Sequence, residues 1–358
     1  MCGAIRKEAD VVAGLDVGSA LIKVVVARAS RPGLITGAGA SAAAGISPGE
    51  IYDARAAARS VAEALAQAAG VSRAKIKRVC LGISGWGVQV FDGRARLVFK
   101  EKREIRRKDP ESLLKMAGNL QLPAGRRVIQ VVPQEFWLDG LVTAKLPIGL
   151  VGGCLECRAK VVTADRELID KLTSFLDMLG IRVARLTVNV LAAAGVTLGE
   201  TEKQLGVALF DLGSSTTGAA VFRNGVLLQM DVLPVGSAHV TSDLAIGLGT
   251  SLASAESLKK QVGLNGGPEY KGAVGIIRAR IEEMFAMLKE KIVRNNLLPC
   301  GIVLTGGGAL LKGLPEAAAE YFGVCVRVGT PRVNRFPAGT APDPTWCASV
   351  GLTAGEQN

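Results

Sequence analysis

Residues 205–222, LGVALFDLGSSTTGAAVF, put an aspartate at the end of an apolar run and a hydroxyl-rich turn after it. Residues 207–210 carry no polar side chain, as in a strand buried on both faces. Asp211 follows, then Gly213, Ser214, Ser215, Thr216 and Thr217, an apolar return, and Asn224-Gly225, a hairpin signal. Such a turn brings backbone N–H groups and hydroxyls up to a phosphate. An aspartate at the strand end can hold a metal ion through water. Taken alone, the stretch is equally an ordinary hairpin with an acid at its bend.

A second copy shifts that balance. Residues 14–26, GLDVGSALIKVVV, repeat the form with Asp16, Gly18 and Ser19. Lys23 sits on the returning strand between apolar Ile22 and Val24. Beside the turn its ammonium reaches a phosphate; elsewhere it is a surface lysine. A third cluster, Gly306, Gly307 and Gly308, follows apolar residues 302–304 and Thr305. Two Asp-x-Gly-Ser turns about two hundred residues apart predict two related half-domains facing each other across a cleft. With the third glycine cluster they resemble the two phosphate loops and the adenosine loop of the actin, sugar-kinase and heat-shock chaperone superfamily.

Composition narrows the partners. The 358 residues suffice for two or three domains, and 49% apolar with 21% charged residues is the balance of a globular protein with a large core. Aromatics make up only 4%, which argues against base stacking along a nucleic acid. A net charge of +11 favours anionic partners or a solvated basic surface. The seven cysteines are scattered, so no disulfide framework is expected. Cys154 and Cys157 form a lone C-x-x-C whose members would face opposite sides of a strand. Residues 1–10 are polar with charges of both signs, so no leader is expected. No apolar run is long enough to span a membrane. These features predict a cytoplasmic protein.

The elements that must position the turns follow in order. Asp53 is expected to cap an alanine-rich helix that Gly70 stops, and a strand follows over 76–82. Residues 88–163 read as a separate module, marked by the basic run Lys100, Lys102, Arg103, Arg106, Arg107 and Lys108. That run is a docking surface for an acidic partner or a solvated edge strand. Within the module a helix starts at Asp109-Pro110, strands cover 127–135 and 155–162, and 147–153 is a loop. An amphipathic helix over 165–180 leads back to the core. Glu256 and Lys259 lie three apart on one face of a predicted helix, which is also what an ordinary surface ion pair does. A long helix over 273–297 presents Ile276, Ile277, Ile281, Met284, Phe285, Leu288 and Ile292 on one side. His239, the single histidine, has no partners for catalysis and is read as structural.

Taken together the pieces resemble the bacterial actin homologues, and most closely the FtsA family. The closer resemblance rests on Val131-Val132-Pro133-Gln134-Glu135-Phe136, Leu146-Pro147-Ile148-Gly149-Leu150, the VLPVGSAHVTSDLA segment at 232–245, and residues 301–308. It implies an α/β, actin-like ATPase fold: two ribonuclease-H-like lobes around a nucleotide cleft, with a small α+β module inserted in the first lobe. The implied division is 1–83 for the first part of lobe one, 84–163 for the module, 164–204 for the remainder and crossover, and 205–358 for lobe two with a helical subdomain over about 232–297. The resemblance also implies ATP and Mg²⁺ as cofactors. Asp16, Gly18, Ser19 and Lys23, the 213–216 turn and Gly236 would surround the phosphates. Asp16 and Asp211 would hold the metal through water. Glu256 and Lys259 would meet ribose and base, Gly306, Gly307 and Gly308 the nucleoside. Asp211 and Asn189 are the implied catalytic pair.

Two departures bear on activity. Relatives carry a second acid or a histidine seven residues after the first aspartate, where this chain has Gly218. The carboxamide that orients water in actins falls at Asn189, one methylene shorter than the usual Gln. ATP binding with weak or absent hydrolysis is therefore expected. The implied role is a cell-division protein that self-associates into filaments and links the FtsZ ring, through its C-terminal tail, to the membrane-associated divisome and its other proteins. The implied location is peripheral, on the cytoplasmic face of the membrane at the division site. No basic amphipathic stretch is seen near 355–358, so membrane contact is expected to be indirect. The Gly-Ser-Ser-Thr-Thr turn resembles PilM, which makes a nucleotide-binding scaffold of a pilus or secretion assembly the alternative. A small-molecule kinase of the same superfamily would need a general base that no substrate loop supplies.

Overall fold

The computed structural model describes residues 11–47, 50–85, 87–143, 146–291, 298–337 and 341–354. The first lobe opens on β1 (Val11–Val17), β2 (Leu21–Arg28) and β3 (Arg31–Ala42), an antiparallel meander. A two-residue hairpin, β4 (Ile46–Ser47) and β5 (Glu50–Ile51), leads to α1 (Ala54–Ser72) and then β6 (Arg78–Ile83). Asp53 caps α1 by accepting from the backbone N–H groups of Arg55 and Ala56. The helix runs through Gly70 and stops at Arg73, whose φ of 53° is left-handed. A glycine inside a helix costs only about 1 kcal/mol, and packing of buried Ala57, Val61, Ala64 and Ala68 outweighs it.

The inserted module comprises β7 (Gln89–Glu104), α2 (Lys108–Gly118), β8 (Arg126–Leu138), β9 (Leu141–Thr143) and β10 (Val151–Asp165). Its sheet has the order β7-β10-β8-β9, so the basic run begins on an edge strand. The segment expected as a loop over 147–153 becomes strand from Val151, because Val151 and Gly152 pair with Glu104 and Arg103 on β7. The module has its own core of Ile105, Leu113, Phe136, Leu155 and Cys157.

Asp165 caps α3 (Arg166–Met178), which precedes β11 (Arg182–Val188), α4 (Asn189–Thr197) and α5 (Glu200–Leu205). The second lobe has β12 (Val207–Leu212), β13 (Thr217–Arg223), β14 (Val226–Leu233), α6 (Ser237–Leu248), α7 (Leu252–Val262) and α8 (Lys271–Lys291). It closes with β15 (Ile302–Thr305), α9 (Leu314–Phe322), β16 (Val326–Val328) and, after the tail, α10 (Cys347–Gly351). The expected extension of α8 to 297, with Ile292, lies outside the described residues, as do Trp86 and 355–358.

The two main sheets have one topology. The first is ordered β11-β6-β1-β2-β3 and the second β16-β15-β12-β13-β14 when read from the same end. In each, an antiparallel meander is extended by two parallel strands. The uninterrupted apolar run of β12 follows from this. Val207 and Leu209 enter the core shared by both lobes, while Ala208, Phe210 and Leu212 enter the core under α6, α8 and α9. Apolar α4 joins the lobes and packs on α10, where Gly351 lies so close that a Cβ would meet the carbonyl oxygen of Ala192 at 1.9 Å.

Candidate functional site

The two aspartate turns occupy equivalent places. Asp16 ends β1 and pairs across to Lys23 on β2; Asp211 ends β12 and pairs across to Gly218 on β13. On the parallel side Asp16 faces Gly82 and Asp211 faces Thr305. Both carboxylates line one cavity of about 850 Å³, together with every other residue proposed from the sequence for nucleotide, metal or catalysis except Ser215 and Gly236. Ser215 still reaches it indirectly: its hydroxyl lies 2.8 Å from that of Ser19, so the two turns touch across the cleft.

The partners of the equivalent positions differ. The Lys23 ammonium sits 3.0 Å from Asp16 and donates to the carbonyl oxygen of Thr345 at 2.6 Å. Burial opposes its charge, but the Asp16 carboxylate more than compensates and raises its pKa. Asn189, the first residue of α4, donates to Asp16 at 2.8 Å. Its side-chain oxygen has no hydrogen-bond partner among the described residues and lies where a Cβ on residue 82 would fall. Position 82 therefore has to be glycine, and the carboxamide is fixed on the carboxylate.

Asp211 accepts a hydrogen bond from the Thr305 hydroxyl at 3.2 Å. Burial, reinforced by the charge of Asp16, pushes its pKa up to about 6 against the pull of Lys23 and Thr305. A carboxylate held this far above its ordinary value is poised to meet a cation. At position 218 a Cβ would lie 2.8 Å from that of Val190, so α4 fills the space a side chain would need. The missing second acid thus has a steric reason.

The glycines and helix starts shape the rest. Gly306 has φ +80°, and a Cβ there would meet Leu212 and the Asp211 carboxylate. At Gly308 a Cβ would press on the Leu212 side chain, whereas nothing lies near Gly307. Gly18 and Gly213 each turn back so tightly that a Cβ would meet the carbonyl oxygens of Leu21 and Thr216. Gly236 packs on the second turn: a Cβ would meet the carbonyl oxygens of Gly213 and Ser214. Those oxygens instead accept from the backbone N–H groups of Ser237 and Ala238 at 2.9 and 2.7 Å, which ties α6 to the 213–216 turn. His239 accepts from the Gly236 N–H through Nδ1, a structural role.

Deeper in the cleft Glu256 and Lys259 are more than a surface pair. The Lys259 side chain is 8% exposed and lies 2.7 Å from Glu256. It donates to the Ser237 carbonyl oxygen and the Thr241 hydroxyl, and Thr241 donates to Glu256 at 2.5 Å. Burial disfavours the Glu256 charge, yet the bonds from Lys259 and Thr241 prevail and hold its pKa at about 2. Burial lowers the pKa of Lys259. Apolar Leu252, on the same helix as Glu256 and Lys259, lines the cavity with Met284, Leu310 and Leu311.

Sequence reasoning missed Thr305, Thr241, Val190 and Thr345. Thr345 had no local signal, because it reaches Lys23 only through the long return of the tail. Among the described residues no group of three or more His, Cys, Asp or Glu could cage a metal. Two carboxylates with room for water suit Mg²⁺, which keeps much of its hydration and binds with phosphates. The cavity volume lies within the range of small-molecule sites. With its glycine-lined approach, buried lysine and partly apolar lining, the site fits a hydrated magnesium and a nucleoside phosphate. No helix among the described residues is long and apolar enough to cross a membrane.

Comparison with known proteins agrees with this architecture. The family model described as "Cell division protein FtsA" matches residues 208–351, and "SHS2 domain inserted in FTSA" matches 85–163. The chain is 32% identical to the cell division protein FtsA of Streptococcus pneumoniae, over 89% of this chain and 75% of that protein. It is 29% identical to that of Bacillus subtilis, over 94% and 81%. Among solved structures it is similar to a PilM–PilN type IV pilus biogenesis complex, with TM-score 0.69, 18% identity and coverage of 96% and 97%. It is also similar to MreB5 of Spiroplasma citri bound to ADP, with TM-score 0.57, 13% identity and coverage of 96% and 95%. These structural likenesses establish an actin-like ATPase fold. With its two lobes, its inserted module and relatives matched along most of their length, the chain belongs to the FtsA family of cell division proteins.

Proposed function

We propose that the cleft binds ATP with Mg²⁺, and that in this state the protein assembles into filaments and links the FtsZ ring to the membrane-associated divisome. The observation that carries this reading is the convergence of Asp16 and Asp211, from equivalent strand ends of two lobes, on one cavity. Magnesium and triphosphate would supply the opposite charges that these carboxylates and Lys23 meet. Asp16 and Asp211 hold the ion through water, and Lys23 with the turns at 18–19 and 213–216 takes the phosphates. Glu256 and Lys259 address ribose and base, and residues 306–308 lie under the nucleoside. A ligand gripping both lobes binds the closed form better and shifts the population towards it, which is the form expected to polymerise.

Hydrolysis is slow or absent on this reading. Val190 excludes a side chain at 218, and Asn189 is committed to Asp16. A partner tail from FtsZ docks on the second lobe, and the protein works at the cytoplasmic face of the membrane at the division site. Titration with a fluorescent ATP analogue tests the cleft: binding should weaken at least about tenfold in Asp211→Ala, and unchanged binding rejects the site. Capture on an immobilised FtsZ tail peptide tests the partner; retention on a pilus-component peptide alone would favour the scaffold role instead.

A further inference from the structure

On its return from the second lobe to α10, the chain makes a short 3₁₀ turn over Pro344–Trp346, preceded by Asp343. The sequence suits such a turn. Proline supplies the φ of a first helical position, and an aspartate before it can bond to the backbone two residues on. The Asp343 carboxylate accepts from the Thr345 N–H at 2.8 Å and from the Thr345 hydroxyl at 2.5 Å. Its main-chain carbonyl oxygen accepts from the Trp346 N–H at 3.2 Å. One residue thus holds the N–H ends of two successive peptide groups. A peptide group is planar and trans, so holding its N–H aims its carbonyl the opposite way. The two carbonyls reach different lobes. That of Pro344 accepts from the backbone N–H of Gly306 at 3.0 Å, in the glycine loop of the second lobe. That of Thr345 accepts from the Lys23 ammonium at 2.6 Å, in the first lobe. Trp346 anchors the turn, buried beside Val25, Ala27 and Ile35 with its ring 5.6 Å from that of Phe336.

We propose that Asp343 is a positioning residue for the bound nucleotide: by orienting these two peptide groups it sets the Lys23 ammonium against the phosphates and steadies the Gly306 loop under the nucleoside. This rests on the reading of the cleft as a nucleotide site. Thr345 lines the cavity and Asp343 does not, so Asp343 acts through its neighbours rather than by touching the ligand. A lysine stem carries about 2 kcal/mol of rotamer entropy, so its ammonium points at one place only where acceptors fix it. Among the described residues Asp16 and the Thr345 carbonyl take two of the three Lys23 donors, which leaves the third for a phosphate oxygen. Asp16 holds the ammonium from across its own hairpin, and Thr345 holds it from the returning chain. Gly306, at φ +80°, has no side chain to steer its loop, and the bond to Pro344 supplies that restraint. The turn therefore ties a phosphate contact of one lobe to a nucleoside contact of the other.

Titration of the full chain with a fluorescent ATP analogue and Mg²⁺ tests this role, on wild type, Asp343→Ala, Asp343→Asn, Lys23→Met and Lys23→Met/Asp343→Ala. Asp343→Ala should weaken binding by about tenfold. Asp343→Asn, whose side-chain oxygen accepts the same two bonds, should stay within about threefold of wild type. Because Asp343 acts through Lys23, the double variant should bind little worse than Lys23→Met alone, which a purely structural role would not produce. Should Asp343→Ala fail to fold, Thr345→Val, which keeps the backbone bond and loses the hydroxyl one, takes its place in the cycle. A wild type that binds no analogue rejects the nucleotide cleft and this role with it. Wild-type binding together with an unaffected Asp343→Ala, no rescue by Asp343→Asn, or losses that add to that of Lys23→Met, would overturn the positioning role alone.

Discussion

Asp211 carries a cost that its position explains. Its folded pKa of about 6 lies above the ordinary 3.8, so the native state holds the proton longer than the unfolded chain. Stability from this group is therefore fully present below about 3.8 and is lost as pH rises through about 6. At about 1.4 kcal/mol per pH unit, the loss is on the order of 1–3 kcal/mol. Asp211→Asn should accordingly be more stable than wild type in urea melts at pH 7.5 without nucleotide, and equal to it at pH 4. A melt that is less stable at pH 7.5 would contradict this electrostatic account. Glu256 has the opposite sign. Its pKa of about 2 gives stability that is present above 4.5 and lost as pH falls towards 2. Glu256→Gln leaves the Lys259 ammonium buried with neutral partners only. We expect a loss of about 1–3 kcal/mol in urea melts, reduced from the fully buried value because Glu256 is partly solvated. Much of this residue scale was legible in the sequence: Asp16 and Asp211 announced themselves because one Asp-x-Gly-Ser bend occurred twice. Thr305 and Asn189 were opaque in their actual roles, since each meets its aspartate only through strand register or a helix start far along the chain.

At the scale of elements, α4 does more than connect lobes. Asn189 at its first turn grips Asp16, and Val190 presses on Gly218. One turn of helix thereby holds the first acid and forbids a side chain opposite the second. Gly218→Ala should cost about 1–3 kcal/mol by overpacking. Val190→Gly, which removes the Cβ that the new methyl would meet, should offset part of that cost in the same chain, a coupling that a double-mutant cycle in urea measures. Additive losses would mean that the two residues do not share the space. The paired topology of the sheets was readable because both faces of β1 and β12 are buried, which leaves uninterrupted apolar runs. Limits of elements were less readable. Gly70 looked like a stop yet lies inside α1, and 147–153 looked like a loop until pairing with β7 drew Val151 into a strand. In both cases tertiary contact overrode a local signal.

For the whole molecule, the joint between lobes is tight. Gly351 on α10 touches the backbone of α4, and both helices contribute to the core shared by the lobes, through Val190, Ala193 and Cys347 among others. Gly351→Ala should push these helices apart, lower stability by about 1–3 kcal/mol and weaken nucleotide-analogue binding although residue 351 does not line the cleft. Loss of stability with binding intact would separate the joint from the site. The measurement closest to the central claim is a magnesium titration in the presence of an ATP analogue, run on wild type, Asp16→Asn, Asp211→Asn and the double variant. If one hydrated ion sits between both carboxylates, each single change should weaken magnesium-dependent binding about tenfold or more, and the double variant should be little worse than either. Strictly additive losses, or binding indifferent to either aspartate, would contradict a shared ion between the lobes.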